Sequence, residues 1–108
     1  MPTLTRFNDD GVLIAELVYR PSSGATCEFH LDVYPPYQRQ GIGRSLVAHL
    51  EQIGQGRKWM SLYSFCAADN LTTILFFQAL EFRCYPADDF YGEGRDGYFL
   101  WKPIGVPT

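Results

Sequence analysis

The sequence predicts one mixed α/β domain, a sheet with two helical crossovers, and three observations predict it. A chain of 108 residues has the usual size of a single domain, here residues 1–108, and leaves no room for a second hydrophobic core. Residues 27–33 alternate apolar and polar with period two, whereas Leu46, Val47, Leu50 and Ile53 recur at helical spacing. Segments of the two kinds then follow in the order strand, strand, helix, strand, helix, strand, strand, which requires crossover connections. A doubly wound nucleotide fold would need more strand–helix units.

Each element has a local reason. Asn8-Asp9-Asp10-Gly11 is turn chemistry and residues 12–19 are rich in branched and aromatic side chains, so the opening reads as a hairpin or strand, ended by Pro21-Ser22-Ser23-Gly24. The next strand puts Phe29, Leu31 and Val33 on one face and Glu28, His30 and Asp32 on the other. Pro35-Pro36 stops it, because neither residue can donate a backbone hydrogen bond. The first helix begins after Gly43 and meets a terminator at Gly54. Residues 59–66 read as a buried strand, Asp69 or Asn70 can cap a second helix reaching about Leu80, and short strands at 82–85 and 98–102 finish the chain.

Nine basic residues against twelve acidic ones give a formal charge of -3, which speaks against a broad nucleic-acid footprint. Arg39, Arg44, Arg57 and Lys58 nonetheless cluster in sequence, and one basic pocket on an acidic protein suits a small polyanion. Cys27, Cys66 and Cys84 form no CxxC pair and read as reduced core thiols, so no metal is expected. The first ten residues lack the basic and apolar regions of a secretory leader, and no apolar run approaches the roughly 18 residues of a membrane span. A cytoplasmic protein without membrane attachment is the expectation.

Between the second strand and the first helix lies Gln38-Arg39-Gln40-Gly41-Ile42-Gly43-Arg44-Ser45. Two glycines spaced by one residue at a helix start present free backbone N–H groups to an anion. The macrodipole adds positive potential there, and Arg39 and Arg44 can supply charge-assisted bonds. The competing reading is a tight turn that relieves crowding. A dinucleotide fingerprint would need a third small residue where Leu46 stands, and a Walker loop would need Gly-Lys-Ser/Thr.

Gln38, Gly41 and Gly43 match the Gln/Arg-x-x-Gly-x-Gly/Ala signature of the GNAT acetyltransferase superfamily, which the chain therefore resembles. Asn70, then Leu75-Phe76-Phe77, then Leu80-Glu81-Phe82, resemble that family's second block at the right separation. The resemblance covers residues 25–108. It implies a mixed, mostly antiparallel sheet, abbreviated at the N-terminus by a strand and two helices, with acetyl-CoA as cosubstrate. By the same resemblance the backbone of Val33 would bond the pantetheine arm. Gln38, Arg39, Gln40, Gly41, Ile42, Gly43, Arg44 and Ser45 would hold the pyrophosphate, and Asn70 and Phe77 would lie near the thiol end.

Acetyl transfer needs a neutral nucleophile and a way to protonate the departing thiolate. The family's usual tyrosine is Phe77 here, which has no proton to donate. Tyr63, Tyr85, Tyr91 and Cys66 are the substitutes available, each with an alternative reading as packing or loop filler. Glu28, His30 and Asp32 can accept a proton, or they simply face water or a subunit where a helical layer is missing. Residues 88–102 resemble the last loop and strand of protein N-terminal α-amine acetyltransferases, which implies that Tyr91 binds a peptide backbone. An α-amine is about a tenth neutral at pH 7 and a lysine below about a thousandth, so a site without a strong base favours α-amines. The expected activity is N-acetyl transfer to a primary amine, such as a peptide or protein N-terminus. The alternative is an acetyl-CoA-binding module that docks on a partner. An edge strand and an uncovered sheet face leave room for a homodimer.

Overall fold

The computed structural model describes residues 2–22 and 25–105. Six strands and two helices follow one another as β1 (Thr3–Phe7), β2 (Leu13–Ser22), β3 (Thr26–Val33), α1 (Ile42–Gly56), β4 (Ser61–Ala67), α2 (Leu71–Ala79), β5 (Arg83–Ala87) and β6 (Gly97–Pro103). They form one sheet in the order β1-β2-β3-β4-β6-β5. Every pairing is antiparallel except that of β3 with β4, as the order strand, helix, strand demands at that crossover. No helix among the described residues is long and apolar enough to cross a membrane.

The opening segment is a hairpin, its turn held by the Asn8 side chain, whose Oδ1 accepts from the N–H groups of Asp10 and Val12 at 2.9 Å each. Several expected boundaries move, and α1 starts at Ile42, with Gly43 inside the helix instead of before it. β2 continues through Pro21 and Ser22 opposite Cys27 and Thr26, because β1 ends opposite Val18 and a proline there removes no ladder bond on that side. Ser23 and Gly24 lie outside the described residues. Likewise α1 does not stop at Gly54 but runs to Gly56. A Cβ on Gly54 would come within 2.5 Å of Ile104 and 2.7 Å of Trp59, so that glycine admits two core side chains instead of ending the helix.

Both helices cover the same face of the sheet. Gly43 of α1 abuts Phe76 of α2 and Leu31 of β3, and the core gathers Leu17, Phe29, Leu46, Leu50, Leu62, Phe77 and Leu100 between helices and sheet. Phe29 is its centre, its ring 5.8 Å from that of Phe77 and 5.9 Å from that of Phe82. The opposite, outer face carries no helix among the described residues. There β4 is not the wholly buried strand that residues 59–66 suggest: Leu62, Ser64 and Cys66 point inward, while Tyr63 and Phe65 are half-buried on the outer face.

The thiols follow this layering. Cys27 is fully buried, Cys66 is buried and Cys84 is half-buried. Burial pushes the Cys27 thiol up to about 11 and raises Cys66 and Cys84 as well. Only a thiolate is alkylated readily. In native protein at pH 8, iodoacetamide is therefore expected to modify Cys84 first and Cys27 only after unfolding, which peptide mass mapping at timed intervals would check.

Candidate active site

The parallel pairing of β3 with β4 stops early. Among the described residues only Thr26, Cys27 and Glu28 pair, with Ser61, Leu62 and Tyr63, although the strands have eight and seven residues. Beyond Glu28 the strands part. Residues 29–33 stay paired to β2 alone and residues 64–67 to β6 alone, leaving a wedge in the sheet. Alternate residues of a strand turn both backbone polar groups to the same side, so each bank offers N–H and C=O groups to whatever enters.

Both helices start at the mouth of this wedge, since α1 follows β3 and α2 follows β4. At α1 the N-cap is Gly41, left-handed with φ +79°. The first helical bond runs from Ser45 N–H to Gly41 O at 3.0 Å, so the N–H groups of Ile42, Gly43 and Arg44 have no acceptor within the helix. A Cβ on Gly41 would meet nothing within 4 Å: the space over this turn is open. Arg39 beside it is also left-handed, with φ +65°. Such a cradle of free N–H groups could hold an anion, with the glycine signature at its rim.

The expected coenzyme residues fall into three groups. Arg39, Gln40, Gly41, Arg44 and Ser45 are exposed around the cradle, Ile42 is half-buried and Gly43 is buried. The Gln38 side chain turns back and donates from Nε2 to the Val33 carbonyl at 2.9 Å, tying the loop to the end of β3. Asn70 caps α2, its Oδ1 accepting from Thr73 N–H at 3.2 Å. Phe77 lies in the core: it is 4 % exposed, with the rings of Phe29, Phe76 and Phe82 around it. Glu81 takes the left-handed conformation that a glycine adopts freely, with φ +70°.

The candidate acid–base groups separate likewise. Glu28 stands at the apex of the wedge, bonded to Arg20 at 2.6 Å and 3.8 Å from His30 Nε2, while His30 and Asp32 are exposed along the bank. Tyr91 belongs to the loop between β5 and β6, which folds over the outer face. Phe90 stacks on Phe65 at 4.4 Å, and Tyr91 lies so close to Gly97 that a Cβ there would sit 2.8 Å from its ring. Burial, and then Cys66, raise the Tyr91 phenol, so it keeps its proton at neutral pH. Tyr85 sits away from the wedge, on β5 opposite Phe99. The stacked Phe65–Phe90 pair went unread in the sequence, although the run of aromatic residues in 90–101 marks that region.

Residues 3–82 match the acetyltransferase (GNAT) family. The chain belongs to that family. Solved structures agree on the fold. The ribosomal-protein-S18-alanine N-acetyltransferase from Escherichia coli superposes with a TM-score of 0.79 at 23 % identity, covering 94 % of this chain and 68 % of that one. A putative GNAT acetyltransferase from Desulfovibrio desulfuricans gives 0.86 at 19 %, covering 95 % and 69 %. A GNAT phosphinothricin acetyltransferase from Sinorhizobium meliloti, in complex with acetyl-CoA, gives 0.81 at 17 %, covering 99 % and 65 %. No curated protein sequence matches. This GNAT acetyltransferase domain thus spans about two thirds of the length of these structural neighbours.

Proposed function

We propose that the domain transfers the acetyl group of acetyl-CoA to a primary amine, with a peptide or protein α-amine as acceptor, by direct attack within a ternary complex. One observation carries the reading: the β3–β4 wedge opens at the point where the Gly41–Gly43 cradle presents its free N–H groups. A pyrophosphate on the cradle leaves a pantetheine arm free to enter the wedge and bond its banks as an added strand would. The thioester then meets the outer face, between Glu28 and His30 on one side and the Phe65–Phe90–Tyr91 cluster on the other. A nearby acetyl-CoA complex and a nearby ribosomal-protein alanine acetyltransferase support the coenzyme and the acceptor class.

The chemistry fits a site with weak acid–base help. An α-amine, about a tenth of it already neutral at pH 7, needs only a weak base, and a thiol of pKa about 8.5 leaves tolerably as its anion. Phe77 cannot protonate it. Tyr91 keeps its proton at neutral pH and stands on the same side of the sheet as the acceptor. A coupled assay for free CoA across peptide, polyamine and amino-acid acceptors tests the reading. It fails if no acceptor raises CoA release above background while the protein binds the coenzyme.

A further inference from the structure

The outer face is charged unlike at its two ends, and its middle is aromatic. Beside the wedge, Asp32 of its β3 bank stands directly opposite Glu16 of the neighbouring β2, and neither has a cationic partner among the described residues. Like charges so placed destabilise a sheet, unless a cation lies between them. At the other end Arg83 of β5 holds its guanidinium 5.2 Å from the centre of the Trp101 ring, with no acidic partner among the described residues. Arg83 borders an open cavity of about 500 Å³ walled by Tyr63, Tyr85, Phe99 and Trp101. The row Glu28, Tyr63, Trp101, Arg83 runs straight across four adjacent strands.

From this complementarity we infer that the acceptor is a short free peptide with apolar side chains, its α-amine at the wedge and its C-terminal carboxylate on Arg83. The inference rests on the α-amine reading above. Three strand spacings of about 4.8 Å, with up to four residues of rise, separate the two ends by roughly 14–20 Å. An extended peptide reaches about 3.3–3.6 Å per residue, so four to six residues span the gap. The guanidinium can hold a carboxylate through two parallel N–H bonds, and the aromatic floor receives the side chains between. A protein N-terminus or a C-terminal amide would leave Arg83 without its anion.

The test compares the pentapeptide Ser-Leu-Phe-Ala-Ser as free acid and as C-terminal amide, by calorimetric binding and by CoA release. The free acid is expected to bind, and to be acetylated, at least about tenfold better than the amide, the effect of one charge-assisted bond. Arg83→Gln should bring that ratio to about one, and Arg83→Lys should restore part of it. Arg83 is exposed, so both variants should fold. Equal treatment of the two peptides by the natural protein overturns the inference, as does a preference that survives in Arg83→Gln, and neither touches the acetyltransferase reading. Preferred binding of the acid without acetylation of either peptide upholds the site and overturns that reading of the acceptor.

Discussion

Replacing Phe29 by alanine is expected to destabilise the domain by about 3–5 kcal/mol, the usual cost of emptying a buried phenylalanine site. Phe29 is fully buried, and its ring is met by Phe77 from α2 and by Phe82, the residue just before β5. These neighbours sit on separate elements fixed by their own packing, so they cannot collapse into the space together. Against a total stability of about 5–15 kcal/mol for a domain of this size, the loss is a large share. It should lower Tm by upwards of roughly 12 °C. Phe90→Ala is the comparison, because Phe90 also stacks on a ring but is 47 % exposed; its loss should stay near 1 kcal/mol. Urea unfolding followed by circular dichroism measures both. A Phe29→Ala loss no larger than that of Phe90→Ala would show that the core is not centred where the rings converge.

Phe29 was legible because it lies in a strand whose two faces differ. The alternation of Phe29, Leu31 and Val33 with Glu28, His30 and Asp32 is a local signal, and the burial of β3 follows it. The glycine turn at the start of α1 is legible for the same reason, since glycine spacing and a helix start are adjacent in the chain. Gly54 misleads as a helix terminator because its role is set by Ile104 and Trp59, which approach it only in the fold. β4 looked buried throughout, because Leu62, Tyr63, Phe65 and Cys66 are all apolar in transfer terms. Which of them faces solvent depends on both helices lying on one side. The wedge could not be read at all: it is the place where a parallel register ends after three pairs, and no residue type marks it. The wedge and the outer aromatic face are properties of pairing, and that is why the sequence points to the glycine turn more clearly than to the open face of the sheet.

The glycine turn proposed to hold the coenzyme carries the second large effect. In Gly41→Val, acetyl-CoA is expected to lose at least about a hundredfold in affinity. Gly41 sits at φ +79°, where a side chain costs about 1–2 kcal/mol and a branched one more, so the turn will shift or the cap will open. Either outcome moves the N–H groups of Ile42, Gly43 and Arg44 off a common centre, and bonds from such donors to an anion are worth about 1.5–3 kcal/mol each. If the turn holds, the new methyl groups fill the open space above it, where the phosphate would come. Ligand stabilisation of the folded state follows RT ln(1 + [L]/Kd). At a coenzyme concentration of about 100 Kd for the natural protein, roughly 2.7 kcal/mol of stabilisation should fall to about 0.4 kcal/mol. Backbone strain alone would lower the stability of the free protein and leave the coenzyme's increment intact. Gly11→Val separates the two causes, because Gly11 has the same φ of +79° with open space around it but belongs to the β1–β2 turn. Thermal unfolding of both variants with and without acetyl-CoA should show two weakened free proteins, of which only Gly11→Val regains stability with the coenzyme. If Gly41→Val regains it equally, the cradle does not hold the phosphates.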